Sequence, residues 1–182
     1  VAAFREQVRT ELVPLCEQLY AAQAKRIGVD TLMFYDEKRV FPDGNAVPAG
    51  DDDFMVEEAR KMYHKISPET GEFIDFMIEH ELMDLKNKPG KAATGYMTFL
   101  PDYRAPFVFS NFNQTIFDMQ VLTHELGHAF AGYMAMREQP ITEYYSESTD
   151  IAEIHSMSME QFSYCLLYTS DAADDKAKRT AG

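Results

Sequence analysis

Two histidines four residues apart, His124 and His128, constrain the fold of this chain most, because they lie in a stretch of helical hydrophobic spacing. From about residue 114 to residue 136, apolar side chains recur on one helical face: Met119, Leu122, Leu126, Ala129 and Tyr133. Positions i and i+4 of a helix point the same way, with Cβ atoms roughly 6 Å apart. The two imidazoles can therefore converge on one metal ion, and Glu125 lies beside them, where it can hold a metal-bound water. This HExxH pattern predicts a catalytic zinc site, although five residues alone leave a chance match open.

A third protein ligand is expected on a second helix, which the pattern predicts from about residue 148 to residue 164, after a break at Pro140. Glu153 lies there, 25 positions after His128, and a return of the chain would bring its carboxylate to the first helix. Three protein ligands and one open position define a catalytic zinc site, whereas four close a structural one. Glu160 shares the face of Glu153 and is expected either to orient a ligand imidazole or to be a surface residue. His155 is roughly 200° around the helix from Glu153, so it is expected to pack or to support a ligand.

The rest of the pattern predicts a mainly helical fold with a small antiparallel β element. Helices are predicted over residues 2 to about 27 and within "DDDFMVEEARKMYHKI" and "SPETGEFIDFMIEHELMDL". The segments "TGYMTFL" and "APFVFSNF" are short, aromatic and β-branched, and they predict an antiparallel pair of strands. A peptide substrate can add to the edge of such a pair, with Gly95 and Tyr96 aligning its backbone.

Composition and charge exclude several classes of function. A net charge of −13 argues against a nucleic-acid partner, which needs a basic surface. No apolar run approaches the roughly 18 residues that a membrane helix needs, and no secretory signal opens the sequence. Two distant cysteines form neither a disulfide framework nor a zinc knuckle, so the sequence predicts a cytoplasmic location.

The motifs resemble a known family. "THELGHAF" and "TDIAEIHSMSMEQF", with "GYMTFLPDYRAPFVFSNFNQT" upstream, are similar to the thimet oligopeptidase and oligoendopeptidase F family of zinc metallopeptidases, over roughly residues 30–164. The resemblance implies zinc bound by His124, His128 and Glu153, with Glu125 as general base. It also implies a mostly helical, two-lobed enzyme whose deep channel admits short peptides. Other zincins with a glutamate ligand, such as the thermolysin-like and dipeptidyl carboxypeptidase families, are the alternatives.

The sequence departs from this family in two respects. Many members have His or Gln where this chain has Ala131, and members are several times longer, with tyrosine and histidine residues that stabilise the oxyanion well after the second motif. The last stretch, "CLLYTSDAADDKAKRTAG", resembles the translation of a transposon-end sequencing adapter. The sequence therefore predicts a partial metallopeptidase catalytic domain over residues 1–164 and a non-native, disordered tail over residues 165–182. It also predicts that segments before Val1 and after Tyr164 are missing.

Three functional hypotheses follow. The first is a zinc-dependent endopeptidase that hydrolyses short peptides, in which Glu125 activates a zinc-bound water and the missing remainder of the chain completes the site. The second is a non-catalytic zinc-binding fragment. The third is a helical module with a chance HExxH sequence.

Overall fold

The structure, a computed structural model, describes residues 1–45 and 47–180, with Ile116 and residues 166–180 described by their backbone only. The chain divides into two compact units, Val1–Ala46 and Val47–Gly182. The sequence predicted one domain over residues 1–164. The division falls in a segment rich in proline, glycine and aspartate, a composition that favours loops over packed elements.

The first unit is dominated by the long helix that the sequence predicted. Helix α1 spans Ala2–Gln7, a π-helical turn spans Val8–Leu12, and helix α2 spans Val13–Ile27. The π turn lies just before Pro14, whose ring has no N–H and would clash with the carbonyl four residues earlier in a regular helix. Helix α2 ends at Gly28, which takes the left-handed conformation with φ +76° that a side chain disfavours.

The second unit holds the remaining elements of the described residues. In chain order these are α3 Asp52–Ile66, α4 Pro68–Glu79, β1 Met83–Lys86, β2 Tyr96–Leu100, β3 Ala105–Phe112, α5 Ile116–Glu138 and α6 Thr149–Thr180, with short 3-10 turns at Pro101–Tyr103 and Thr142–Tyr144. The predicted class, mainly helical with a small sheet, is confirmed.

The three strands form a mixed sheet in the order β1-β3-β2. Strands β2 and β3 are antiparallel, as predicted, with Tyr96 opposite Phe109. Strand β1 runs parallel to β3, and here the prediction of a helix through Leu85 is wrong. Helix α4 ends at Glu79, and the positive φ of Glu81, 54°, is incompatible with a continuing helix. No proline or glycine marks this end, and the helical hydrophobic spacing continues past it.

Helix α5 starts directly after β3 and is held there by a buried carboxylate. Asp118 accepts hydrogen bonds from the backbone N–H groups of Asn113 at 3.0 Å and Thr115 at 3.0 Å. One face of α5 then enters the core formed by α3, α4 and β3, through Leu122, Leu126, Ala129 and Tyr133. This packing leaves His124, Glu125 and His128 on the flank of the helix that faces β2 and α6.

Helix α6 does not end near Tyr164, where the sequence predicted its end. Its backbone is helical to Thr180, and residues 181–182 lie outside the described residues; the predicted disorder of the tail stays a prediction. The stretch contains no glycine or proline before Gly182 and has four alanines, the residue with the highest helix propensity. The helical backbone has no bearing on where the tail sequence comes from, so its origin in a sequencing adapter stays a prediction. Among the described residues, no helix combines the length and the apolar character needed to cross a bilayer.

Candidate metal centre

The structure brings together the three residues that the sequence predicted as metal ligands. His124 and His128 lie one turn apart on α5, with ring centroids 4.9 Å apart, and Glu153 approaches from α6. Glu153 Oε2 lies 3.3 Å from His124 Nε2 and 3.7 Å from His128 Nε2. One nitrogen from each imidazole and one carboxylate oxygen lie within 4.8 Å of one another.

This donor set suits zinc. Ligand atoms on one tetrahedral zinc ion lie about 3.3 Å apart when each bond is about 2.0–2.1 Å long, close to the two distances above. Burial lowers the pKa of His128, with a further contribution from His124, and so favours the neutral imidazole that binds metal. Two histidines and one glutamate also leave a fourth position open, as catalytic zinc sites require.

Glu160 forms a hydrogen bond with the ring nitrogen of His124 that does not face Glu153. His124 Nδ1 donates to Glu160 Oε1 at 2.6 Å, which leaves Nε2 directed toward Glu153. The other carboxylate oxygen of Glu160 accepts from Gln120 Nε2 at 3.1 Å. A carboxylate on the second nitrogen fixes both the orientation and the tautomer of a ligand imidazole. The sequence singled out Glu160 by its helical face but missed Gln120.

Glu125 is buried beside the cluster, at 8% exposure. Burial raises the pKa of its carboxyl group, the charge of His124 opposes this shift, and Glu153 adds to it. A side chain at Gly95 would come within 3.4 Å of Glu125 Oε1. The carboxylate therefore lies close to the start of β2, and it is not one of the three clustered donors.

The cluster opens into a cleft of about 420 Å³. Strand β2 is an edge strand of the sheet and runs along this cleft. Gly95 and Tyr96, the two residues predicted to align a peptide backbone, both line it. Tyr96 is held by stacking on Phe109 of β3, with ring centroids 4.9 Å apart. The expected edge beside the metal ligands is therefore present.

The remaining histidines lie as follows. His155 lines the same cleft, and its Nδ1 lies 3.4 Å from Glu147 Oε1. It is not among the clustered donors, in keeping with its position around the helix from Glu153. His64 pairs with Asp75 at 3.0 Å, and the rings of His80 and Phe76 meet at a tilt, with centroids 4.6 Å apart; neither histidine is among the clustered donors.

Helices α5 and α6 approach closely at Gly127. A Cβ atom there would lie 2.7 Å from Ser156 Cα and 3.0 Å from the carbonyl oxygen of His155. Ser156 is completely buried at this crossing, and its hydroxyl donates to Glu153 Oε2 at 2.9 Å. Neither residue stands out in the sequence as part of a site. The one sequence feature that pointed to the close crossing of α5 and α6 was the glycine at position 127, inside the HExxH motif.

The raised pKa of Glu125 predicts a pH-dependent stability. Because the folded-state pKa exceeds the unfolded value, the contribution of Glu125 to folding is fully present below the unfolded pKa and is lost as pH rises through the folded pKa. We therefore expect Glu125→Gln to become progressively more stable than the unsubstituted chain as pH rises from 4 toward 7. Urea unfolding of both proteins with chelator present measures this. A constant difference across that range would contradict the burial effect.

A mainly helical unit presents an HExxH helix and a glutamate from a second helix beside a sheet edge, which is the kind of donor set that zinc peptidases use. Residues 53–181 match the model of peptidase family M3. The chain belongs to this family.

Solved structures agree with this assignment. PZ peptidase A with an inhibitor is 52% identical and covers 87% of the chain, with a TM-score of 0.85. A protein from Bacillus anthracis str. Ames that bears the name oligoendopeptidase F is 48% identical over 87% of the chain, with a TM-score of 0.84. The chain spans 28% and 29% of the length of these two proteins. A comparison with curated proteins found no match.

Proposed function

We propose that this chain is the metal-binding part of a zinc-dependent oligoendopeptidase, an enzyme that cleaves short peptides at internal bonds. One observation carries the proposal: Glu153 Oε2 lies 3.3 Å and 3.7 Å from the Nε2 atoms of His124 and His128, with Glu125 buried alongside. Membership of peptidase family M3 supports the reaction class. Two structures with peptidase names, each about half identical to the chain, support the preference for an oligopeptidase.

The residues have distinct roles in this proposal. His124, His128 and Glu153 would hold the ion, which when bound supplies a Lewis acid for the scissile carbonyl and lowers the pKa of water. Glu125 accepts the proton of the attacking water on its carboxylate and passes it to the leaving amine. Glu160 fixes the ring of His124, so that Nε2 and not Nδ1 faces the ion.

The substrate would lie along β2. An extended peptide can pair with the free side of an edge strand through backbone hydrogen bonds, and Gly95 and Tyr96 lie where that edge meets Glu125. Internal cleavage separates this function from that of a dipeptidyl carboxypeptidase, which releases dipeptides from the C-terminus. Mass spectrometry of the products from an unmodified and a C-terminally amidated peptide distinguishes the two.

The metal site is tested directly on the 182-residue chain. We expect about one zinc ion per chain after dialysis, and loss of that zinc in His124→Ala, His128→Ala and Glu153→Gln. His80→Ala is the matched control, because its ring contacts Phe76 and is not among the clustered donors. Metal analysis by mass spectrometry measures the stoichiometry. Zinc retained in all three variants, or absent from the unsubstituted chain, contradicts the proposed site.

A second candidate is a zinc-binding segment without turnover of its own. The chain spans 28% of PZ peptidase A, and the family resemblance places the oxyanion-stabilising residues after Tyr164. One such donor is worth about 3–4 kcal/mol of transition-state stabilisation. Zinc binding without cleavage of a quenched peptide by the chain would favour this candidate.

A cytoplasmic location is also proposed. It is supported by the scarcity of cysteines, two in 182 residues, which suits a reducing compartment.

A further inference from the structure

Ser156 touches the proposed metal ligand Glu153 at the oxygen that faces the histidines. Its Oγ lies 2.9 Å from Glu153 Oε2, the atom that is 3.3 Å from His124 Nε2. The same hydroxyl lies 3.1 Å from the backbone oxygen of Glu153. A serine hydroxyl in a helix commonly bonds to a carbonyl three or four residues earlier. Ser156 has the carboxylate as an additional acceptor.

The surroundings of Ser156 restrict its hydroxyl to these acceptors. The residue is completely buried where α5 and α6 cross, and its Cα lies 2.7 Å from the position that a Cβ on Gly127 would occupy. The Glu153 side chain, by contrast, is 43% exposed and would otherwise sample several rotamers in water. The buried Ser156 therefore limits the motion of the exposed Glu153 side chain.

We infer that Ser156 is a positioning residue that holds Glu153 Oε2 between the two histidine Nε2 atoms and thereby raises the affinity of the site for zinc. The inference rests on the proposed zinc site and deepens it. One lone pair of Oε2 accepts the Ser156 hydrogen, and the oxygen keeps a second lone pair for the ion. Glu160 orients His124 in the same way, through a hydrogen bond to Nδ1. One proposed ligand on each of the two helices is therefore held in place by a neighbouring polar side chain.

Ser163 provides a matched comparison. It lies seven residues further along α6, is also buried at 4% exposure, and donates to the backbone oxygen of Met159 at 2.8 Å. Ser156→Ala and Ser163→Ala each remove one hydroxyl from a buried position of the same helix. Alanine has the highest helix propensity, so both variants keep the helix. Only the first removes a bond to a proposed ligand.

The test measures the zinc dissociation constant of the 182-residue chain by competition with a chromophoric chelator, together with the helical circular dichroism signal. We expect Ser156→Ala to bind zinc about 10- to 100-fold more weakly, the range typical of residues that support a ligand. Ser163→Ala should stay within about threefold of the unsubstituted chain, because its hydroxyl bonds to a backbone oxygen and not to a proposed metal ligand.

The outcomes separate this inference from the proposed function. Unchanged affinity in Ser156→Ala, with zinc bound by the unsubstituted chain, overturns the inference alone. Equal weakening in the two serine variants, or loss of the helical signal in Ser156→Ala, also overturns it, because the hydroxyl would then act on the fold. Absence of zinc from the unsubstituted chain overturns the proposed site, and the inference with it.

Discussion

Replacing Glu125 with glutamine is expected to slow peptide cleavage at least about 100-fold while leaving zinc bound. Glutamine keeps the shape of the side chain but cannot accept the proton of the attacking water, and general-base catalysis typically contributes about 10²–10⁴-fold to the rate. Glu125 is not one of the three clustered donors, so the zinc stoichiometry should be unchanged. The variant therefore separates chemistry from metal binding.

The measurement needs a complete catalytic domain. A hybrid in which residues 53–164 of this chain replace the matching segment of PZ peptidase A, 52% identical to it, supplies one. We expect kcat/KM of the hybrid to fall at least about 100-fold in Glu125→Gln. Glu138→Gln is the control, since Glu138 is exposed at the end of the same helix. Full activity in Glu125→Gln would refute its role as the base, whatever the metal content.

The clustering of the three proposed metal ligands could be predicted from the sequence because their geometry is largely local. His124 and His128 are four residues apart in a helix, and this spacing alone fixes their relative direction. Glu160 could be anticipated because it shares the helical face of Glu153, and it lies 2.6 Å from His124 Nδ1. Glu153 needed the further assumption that the chain reverses near Pro140, which the structure supports.

Strand β1 could not be predicted in the same way. The sequence around Met83 continues the helical hydrophobic spacing of α4, and no glycine or proline interrupts it. What makes Met83–Lys86 a strand is its pairing with β3, more than twenty residues later, with Met83 opposite Val108. Such tertiary pairing overrides local propensity.

The residues that support the site depend on how two helices cross, which hydrophobic periodicity does not encode. Gln120 on α5 contributes because it donates a hydrogen bond to Glu160 of α6. Ser156 contributes because it is buried against Gly127 where the two helices cross. Each would pass as an ordinary polar residue in its own helix. Their roles appear only once the spacing between α5 and α6 is known.

That spacing makes Gly127→Ala the second substitution with a large expected effect. Helix propensity alone predicts that alanine stabilises α5 by about 0.5–1 kcal/mol relative to glycine. The new Cβ, however, would lie 2.7 Å from Ser156 Cα and 3.0 Å from the carbonyl oxygen of His155. These are backbone atoms and cannot rotate away, so α6 must move from α5. Overpacking of this kind costs about 1–3 kcal/mol, so we expect net destabilisation.

The same displacement should weaken the metal site, because Glu153 lies one turn before Ser156 on the helix that moves. We expect zinc binding to fall about 10- to 100-fold, as when a ligand loses its support. Gly132→Ala is the matched control on the same helix, where the new Cβ would meet the ring of the half-buried Phe99, a side chain that can shift. Urea unfolding and chelator competition measure both effects. A Gly127→Ala chain that is more stable and binds zinc normally would show that the crossing tolerates a side chain, and that the distance from Glu153 to the histidines is set elsewhere.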